Sequence, residues 1–261
     1  MLGAIAGDIA GSRFEWNNIK TKEFELFTPQ CFPTDDSVMT LAAAKAILDC
    51  RGDYSKLAVN AVERMQETGR RYPDAGYGGS FLFWLFEENP TPYNSWGNGA
   101  AMRISPAGFA AKTLEEAKFL SAEITRITHN HPEGLKGAEA TAAAIFLAKT
   151  GSSIAEIRDY INGNYYNIDF TLDEIRDSYV FDVSCAGSVP QALEAFFEST
   201  GYEDAIRNAI SIGGDSDTIA AITGGIAEAY YGVPDEIREK AMSFLDGFQT
   251  EILTEFEKHF K

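Results

Sequence analysis

Histidine and cysteine are scarce in this sequence, with three of each among 261 residues. Cys31, Cys50 and Cys185 are too few and too scattered for a disulfide scaffold or a structural zinc site, so free thiols in a reducing compartment are expected. His129 and His131 lie two positions apart, His259 stands in the tail, and no H-E-x-x-H pattern occurs, so imidazole-held zinc is not expected either. Positive charge is also in short supply. The 22 Lys and Arg residues face 39 Asp and Glu, leaving a formal net charge of −17. Such a surface repels polyanions, and nonspecific binding to DNA, RNA or an acidic membrane is not expected. A single phosphate-bearing ligand in a pocket stays compatible, because a cation and helix N-termini can dominate the local field there. No phosphate-binding loop with its Lys-Ser/Thr and no dinucleotide fingerprint is present. The apolar segment 1–11 lacks a basic leader, carries Asp8 and is too short for an export signal or a spanning helix. A cytoplasmic location is the expectation.

What the sequence does have is helical pattern. Hydrophobic residues make up 45%, a normal globular share. No linker rich in Pro, Ser or charge divides the chain, so a single domain over 1–261 is expected. Helices are predicted over 1–12, 38–50, 55–68, 80–88, 113–128, 137–149, 171–179, 189–198, 202–211, 219–231, 235–245 and 250–260. Ser37 is a possible cap for the second, and Gly52 its stop. Thr113 with Glu116 and Thr171 with Glu174 match capping boxes. Segments 24–27 and 179–183 could be short extended pieces, but no strand series or βαβ alternation appears. The fold class is therefore all-α, a multi-helical domain. Glycine-bearing connections at 76–79, 96–106, 129–137 and 213–214 interleave with Asn, Ser and His, which suggests loops lining one cleft.

Two acidic-threonine clusters carry the chemistry. Thr34-Asp35-Asp36-Ser37 near one end and Gly214-Asp215-Ser216-Asp217-Thr218 near the other each precede an Ala-rich helical stretch. One aspartate at a helix start is ordinary capping. Four of them, flanked by Thr34 and Thr218, would raise one another's pKa in a shared site unless a cation intervened. Oxygen-only ligands favour Mg²⁺, Mn²⁺ or Ca²⁺ over Zn²⁺. The two clusters converge if their helices pack side by side.

These segments also carry a family likeness. The run Gly3-Ala4-Ile5-Ala6-Gly7-Asp8 with Gly11, Ser12 and Glu15 is followed by Thr34-Asp35-Asp36-Ser37, then Gly76-Tyr77-Gly78-Gly79. After these come Trp96-Gly97-Asn98-Gly99-Ala100-Ala101-Met102-Arg103, Thr128-His129 and Gly214-Asp215-Ser216-Asp217-Thr218. In order and separation the set resembles the ADP-ribosylglycohydrolase family, also called the dinitrogenase-reductase-activating glycohydrolase or ARH type. The resemblance spans nearly the whole chain. It implies a compact all-α fold whose central cleft holds two divalent cations, Mg²⁺ or Mn²⁺. By the family's motifs Thr34, Asp35, Asp36, Asp215, Asp217 and Thr218 would be metal ligands. Glu15 and Asp36 would serve catalysis, and Asp74 could match the acid used by arginine-type members. Gly76, Tyr77, Gly78 and Gly79 would lie by the diphosphate; Ser95, Trp96, Gly97, Asn98 and Gly99 would wall the adenosine and its ribose. His129 matches a histidine that contacts the diphosphate or a nearby ribose, and Tyr93 and Trp96 are candidates for the adenine face. Arg103 has no secure role.

The implied reaction is hydrolysis at C1″ of the distal ribose, freeing ADP-ribose from a modified protein side chain, arginine slightly favoured, or from a small ADP-ribosyl acceptor. A monomer is expected. A catalytically silent ADP-ribose-binding module, a two-metal phosphohydrolase and a Ca²⁺-stabilised helical domain stay open as alternatives. Ser37 and Ser216 stand where many members have Thr, and the run 131–134 resembles an insertion, which weakens any transfer of substrate preference.

Overall fold

The computed structural model describes residues 1–260 and meets the helical expectation with fifteen α-helices. In chain order these are α1 (Leu2–Gly11), α2 (Asp35–Cys50), α3 (Leu57–Arg71), α4 (Gly79–Phe86), α5 (Gly99–Met102), α6 (Ser105–Ala110), α7 (Leu114–Thr125) and α8 (Pro132–Lys149). They continue as α9 (Ile154–Asn164), α10 (Leu172–Ile175), α11 (Cys185–Phe197), α12 (Tyr202–Ser211), α13 (Ser216–Tyr231), α14 (Asp235–Met242) and α15 (Gly247–Phe260). No β-strand forms among the described residues; a single bridge pairs Gly97 with Ser184. The segments 24–27 and 179–183 are accordingly irregular rather than extended strands.

The centre of the molecule follows from three glycines. Gly3, Gly7 and Gly11 recur every fourth residue and so share one face of α1. That face lies directly on α13: a Cβ on Gly7 would overlap the carbonyl of Ala220, and one on Gly11 would stand 2.6 Å from Cα of Asp217. All ten residues of α1 are buried as a result. The close backbone approach sets Asp8 beside the N-terminus of α13. Helix α13 is also flanked by α8, α11 and α12, while α2 packs on α1, α3 and α15 around the same hydrophobic core.

Helix starts are where sequence reading and structure differ. α2 begins at Asp35 rather than 38, because the Thr34 hydroxyl rather than Ser37 accepts a hydrogen bond from the Asp36 amide, at 3.3 Å. α8 begins at Pro132, five residues before the predicted start, with Nδ1 of His131 accepting the Glu133 amide at 3.1 Å and proline at the first position needing no donor. α11 runs through Pro190 from Cys185. α9 was not expected; Ser153 and Glu156 form a capping box at its start. No helix among the described residues is long and apolar enough to cross a membrane.

Candidate metal centre and cleft

The N-termini of α2 and α13 meet, and Asp8 ties the first to α1. Its carboxylate accepts from the Thr34 amide (3.0 Å), the Thr34 hydroxyl (2.7 Å), the Ser37 amide (3.1 Å) and the Ser37 hydroxyl. Four donors occupy most of what two carboxylate oxygens can accept, so Asp8 is chiefly the post that fixes the first turn of α2. That turn aims Asp35 and Asp36 inward. The Thr218 hydroxyl donates to Oδ2 of Asp36 at 3.3 Å, and the Thr34 hydroxyl, whose hydrogen is committed to Asp8, lies at the same distance, while Oδ1 of Asp36 is buried without any partner. Asp215 accepts from the Asn98 amide at 2.7 Å, and Asn98 also reaches the Ser188 hydroxyl.

Carboxylate oxygens converge in two groups. One contains Asp8, Asp36 and Asp217; the other Glu15, Asp215 and Asp217; within each, one oxygen per residue lies within 4.8 Å of the others. Asp217 belongs to both. Asp35 belongs to neither but lines the cleft above them. Burial, followed by the neighbouring charge of Asp8 and Asp215, pushes Asp35 up to about 8. Burial raises Asp8 to about 6 against its four donors, and burial with the charge of Asp215 raises Glu15 to about 7. Asp36 and Asp217 stand well above the usual carboxylate range, through burial and then the like charges around them. Asp215 is raised by burial, with the Asp217 and Asn98 contacts opposing. A cluster whose carboxyls are all held above their ordinary range, which contains an orphaned Asp36 oxygen and offers only hard oxygen donors, fits divalent cations.

Above this floor lies a cleft of about 650 Å³. All ten residues expected along the substrate line it: Gly76, Tyr77, Gly78, Gly79, Ser95, Trp96, Gly97, Asn98, Gly99 and His129. So do Glu15, Asp35, Asp36, Asp215, Asp217 and Thr218. Thr34 sits beneath, its hydroxyl directed to Asp8 beside Asp36. Asp74 is exposed and lies outside the residues lining the cleft. Gly76, at φ 105°, takes a backbone conformation that L side chains rarely adopt, and Gly78–Gly79 open α4 at the cleft lining with no side-chain cap for the first-turn amides.

With this geometry in place, the comparison with known proteins is decisive. The ADP-ribosylglycohydrolase family model matches residues 1–258. The chain belongs to the ADP-ribosylglycohydrolase family. It is an enzyme of that class. Similar proteins include the human ADP-ribosylhydrolase ARH3, 24% identical with 98% of this chain and 90% of that one covered. ADP-ribosylarginine hydrolase Tri1 of Pseudomonas putida is 30% identical over 92% of this chain and 72% of its own. The ADP-ribosyl-[dinitrogen reductase] glycohydrolase of Rhodospirillum rubrum is 28% identical over 82% and 73%. Among solved structures, an ADP-ribosylglycohydrolase-related protein complex shares the fold, with a TM-score of 0.70 at 21% identity over 100% of this chain and 97% of that chain.

In this glycohydrolase, several cleft residues escape a reading of motifs alone. Arg103 is buried against the wall, donating to the Thr128 hydroxyl at 2.6 Å, with Nη2 3.3 Å from Nδ1 of His129. A guanidinium only donates, so Nδ1 is assigned as the acceptor and Nε2 carries the proton, toward Gly97 and Gly99. Burial first and Arg103 second hold His129 well below its ordinary pKa. The imidazole is thus a neutral donor to the cleft. Asn18 links the Glu15 turn to the Gly214 loop: its two amide hydrogens are shared among the Phe14, Glu15 and Gly214 carbonyls and its oxygen accepts the Gly214 amide at 2.7 Å. Arg103 closes the 96–103 run without any sign of its partner, and Asn18 stands outside the quoted motifs, since each acts on residues far along the chain. Asp8 did have one, a carboxylate inside an otherwise apolar helix.

Proposed function

We propose that this chain uses two divalent cations, Mg²⁺ or Mn²⁺, to hydrolyse the bond between C1″ of ADP-ribose and an acceptor side chain, with arginine the favoured acceptor. The observation that carries the reading is the pair of acidic groups sharing Asp217 at the floor of a cleft sized for a nucleotide. Asp36, Asp217 and Thr218 would hold one cation and Asp215 with Asp217 the other, with Asp35 beside both and the Glu15 carboxylate next to Asp215 and Asp217. When bound, the cations supply positive charge that orients the ribose hydroxyls and offsets the acidic floor. The name of the Pseudomonas putida relative, an ADP-ribosylarginine hydrolase, supports the acceptor, and the half-buried carboxylate of Glu15 beside Asp215 and Asp217 supports the catalytic group.

The remaining chemistry falls to the chain's own residues. The uncapped amides at Gly78–Gly79 and the Nε2–H of His129 donate to diphosphate or ribose oxygens, and Tyr93 and Trp96 flank the adenine. The C1″–N bond breaks with its electron pair going to the guanidine nitrogen, and water adds at C1″. Glu15 takes the proton of that water and returns it to the departing guanidine. The acidic floor stabilises positive charge developing on the ribose.

Chromatography with mass spectrometry of free ADP-ribose tests the proposal. ADP-ribosyl-arginine and ADP-ribosyl-serine peptides are offered with Mn²⁺ or Mg²⁺ and with chelator. Release from the arginine peptide, faster than from serine and abolished by chelator, is expected. Turnover indifferent to chelator, or cleavage at phosphate in place of intact ADP-ribose, would overturn it.

A further inference from the structure

The cation end of the cleft opens beneath an aromatic pair that the core does not require. Trp16 is 76% exposed and Phe181 38% exposed, yet their rings stack at 5.1 Å between centroids and 25° between planes. Both line the cleft mouth. They come from distant segments, each fixed from behind. Trp16 lies between Glu15 and the Asn18 latch, while Phe181 follows Tyr179, whose hydroxyl donates to the Gly187 carbonyl at 2.7 Å. A large indole this exposed, stacked on a second ring beside the cleft, offers an aromatic face to a ligand.

Position decides which part of a ligand. Trp16 directly follows Glu15, whose carboxylate belongs to the same group as Asp215 and Asp217. The Trp16 side of the stack therefore borders the Glu15 end of the cleft, and Phe181 precedes Val183, whose carbonyl accepts the Asn98 amide at 2.7 Å beside Asp215. An aromatic face next to a carboxylate is the recognition chemistry of a planar cation: the guanidinium stacks on the ring while its N–H groups meet the acid. A serine hydroxyl offers neither charge nor plane.

We infer that Trp16 and Phe181 form the acceptor platform of this enzyme and, with Glu15, select a guanidinium over a neutral hydroxyl. The inference rests on the glycohydrolase reading above. Phe181→Ala and Trp16→Ala, with Trp16→Phe as the conservative variant, are compared with the unaltered chain for kcat/KM on arginine- and serine-linked ADP-ribose peptides. ADP-ribose affinity is measured in parallel by calorimetry with Mn²⁺ present. The arginine-to-serine ratio is expected to fall about tenfold in each alanine variant, the size of a partly desolvated cation–π contact, and to recover largely in Trp16→Phe. Affinity for ADP-ribose, which lacks the acceptor, is expected to change less than about twofold, since the platform would touch only the departing group. An unchanged ratio alongside normal turnover overturns the platform and leaves the glycohydrolase reading standing. Loss of ADP-ribose affinity equal to the loss of turnover also overturns it, by making the stack a nucleotide wall. No release from either peptide by the unaltered chain removes both readings together.

Discussion

Asp217→Asn is expected to lower ADP-ribose release at least about a thousandfold, the loss anticipated when several kcal/mol of cation-dependent stabilisation disappear. Asp217 is the one carboxylate common to both acidic groups, so its neutralisation weakens both cation positions together. Asp215→Asn touches one group only, and Asn98 still holds the side chain in place, so a smaller loss than in Asp217→Asn is expected there. The same substitution acts in the opposite direction on the metal-free fold. Asp217 is buried among Asp36, Asp215, Glu15 and Asp8, so its carboxyl is held protonated at a cost that an amide does not bear, and Asp217→Asn should melt above the unaltered chain when chelator is present. A catalytic collapse accompanied by a stabler apo-protein cannot be ascribed to misfolding. Near-normal turnover in Asp217→Asn, measured as steady-state release under saturating Mn²⁺, would sink the shared-ligand account.

The second large effect concerns pH. Unfolded carboxylates titrate near about 4, whereas Asp8, Glu15 and Asp35 are raised to about 6, 7 and 8 in the fold. Between those limits the native state binds more protons than the unfolded chain. Stability from these groups is therefore fully present below about pH 4 and is lost as pH rises through the folded values. His129 pulls the other way: its depressed pKa favours the unfolded, protonated form below about 6.5, but it is one group against several acids. The metal-free protein is thus expected to melt at progressively lower temperature from pH 5 to pH 8. Cations bind the deprotonated cluster and release its protons, so saturating Mn²⁺ should reverse the trend. At pH 8 a rise in Tm of about 5–10 °C over chelator is expected, from mass action at about a hundred times Kd in a chain of this length, with little change at pH 5. Parallel pH profiles with and without Mn²⁺ in scanning calorimetry would refute the coupling.

How much of this was legible in the sequence depends on how far apart the cooperating atoms lie. The all-α class followed from periodicity, and the two acidic clusters announced themselves because ligand residues sit in short contiguous runs at helix starts. Their convergence also left a trace, the Gly3, Gly7 and Gly11 stripe that lets α1 lie against α13. What stayed hidden was long-range. Asp8 reads as one odd carboxylate in a greasy helix until Thr34 and Ser37 are seen donating to it. Asn18 and Arg103 act across the fold on Gly214 and His129. Helix starts slipped where a cap used an uncommon partner, as with His131 before α8. Asp74 drew attention through the motif around it, yet its side chain faces solvent away from the cleft lining.

The most direct test of the central claim is a crystal of the unaltered chain soaked in Mn²⁺ and measured for anomalous scattering at the manganese edge. Two peaks are expected at the cleft floor, one bounded by Asp36 and Thr218, the other by Asp215, with the Asp217 carboxylate between them. An occupied crystal showing no peak at that floor, or a single one away from Asp217, would contradict the account.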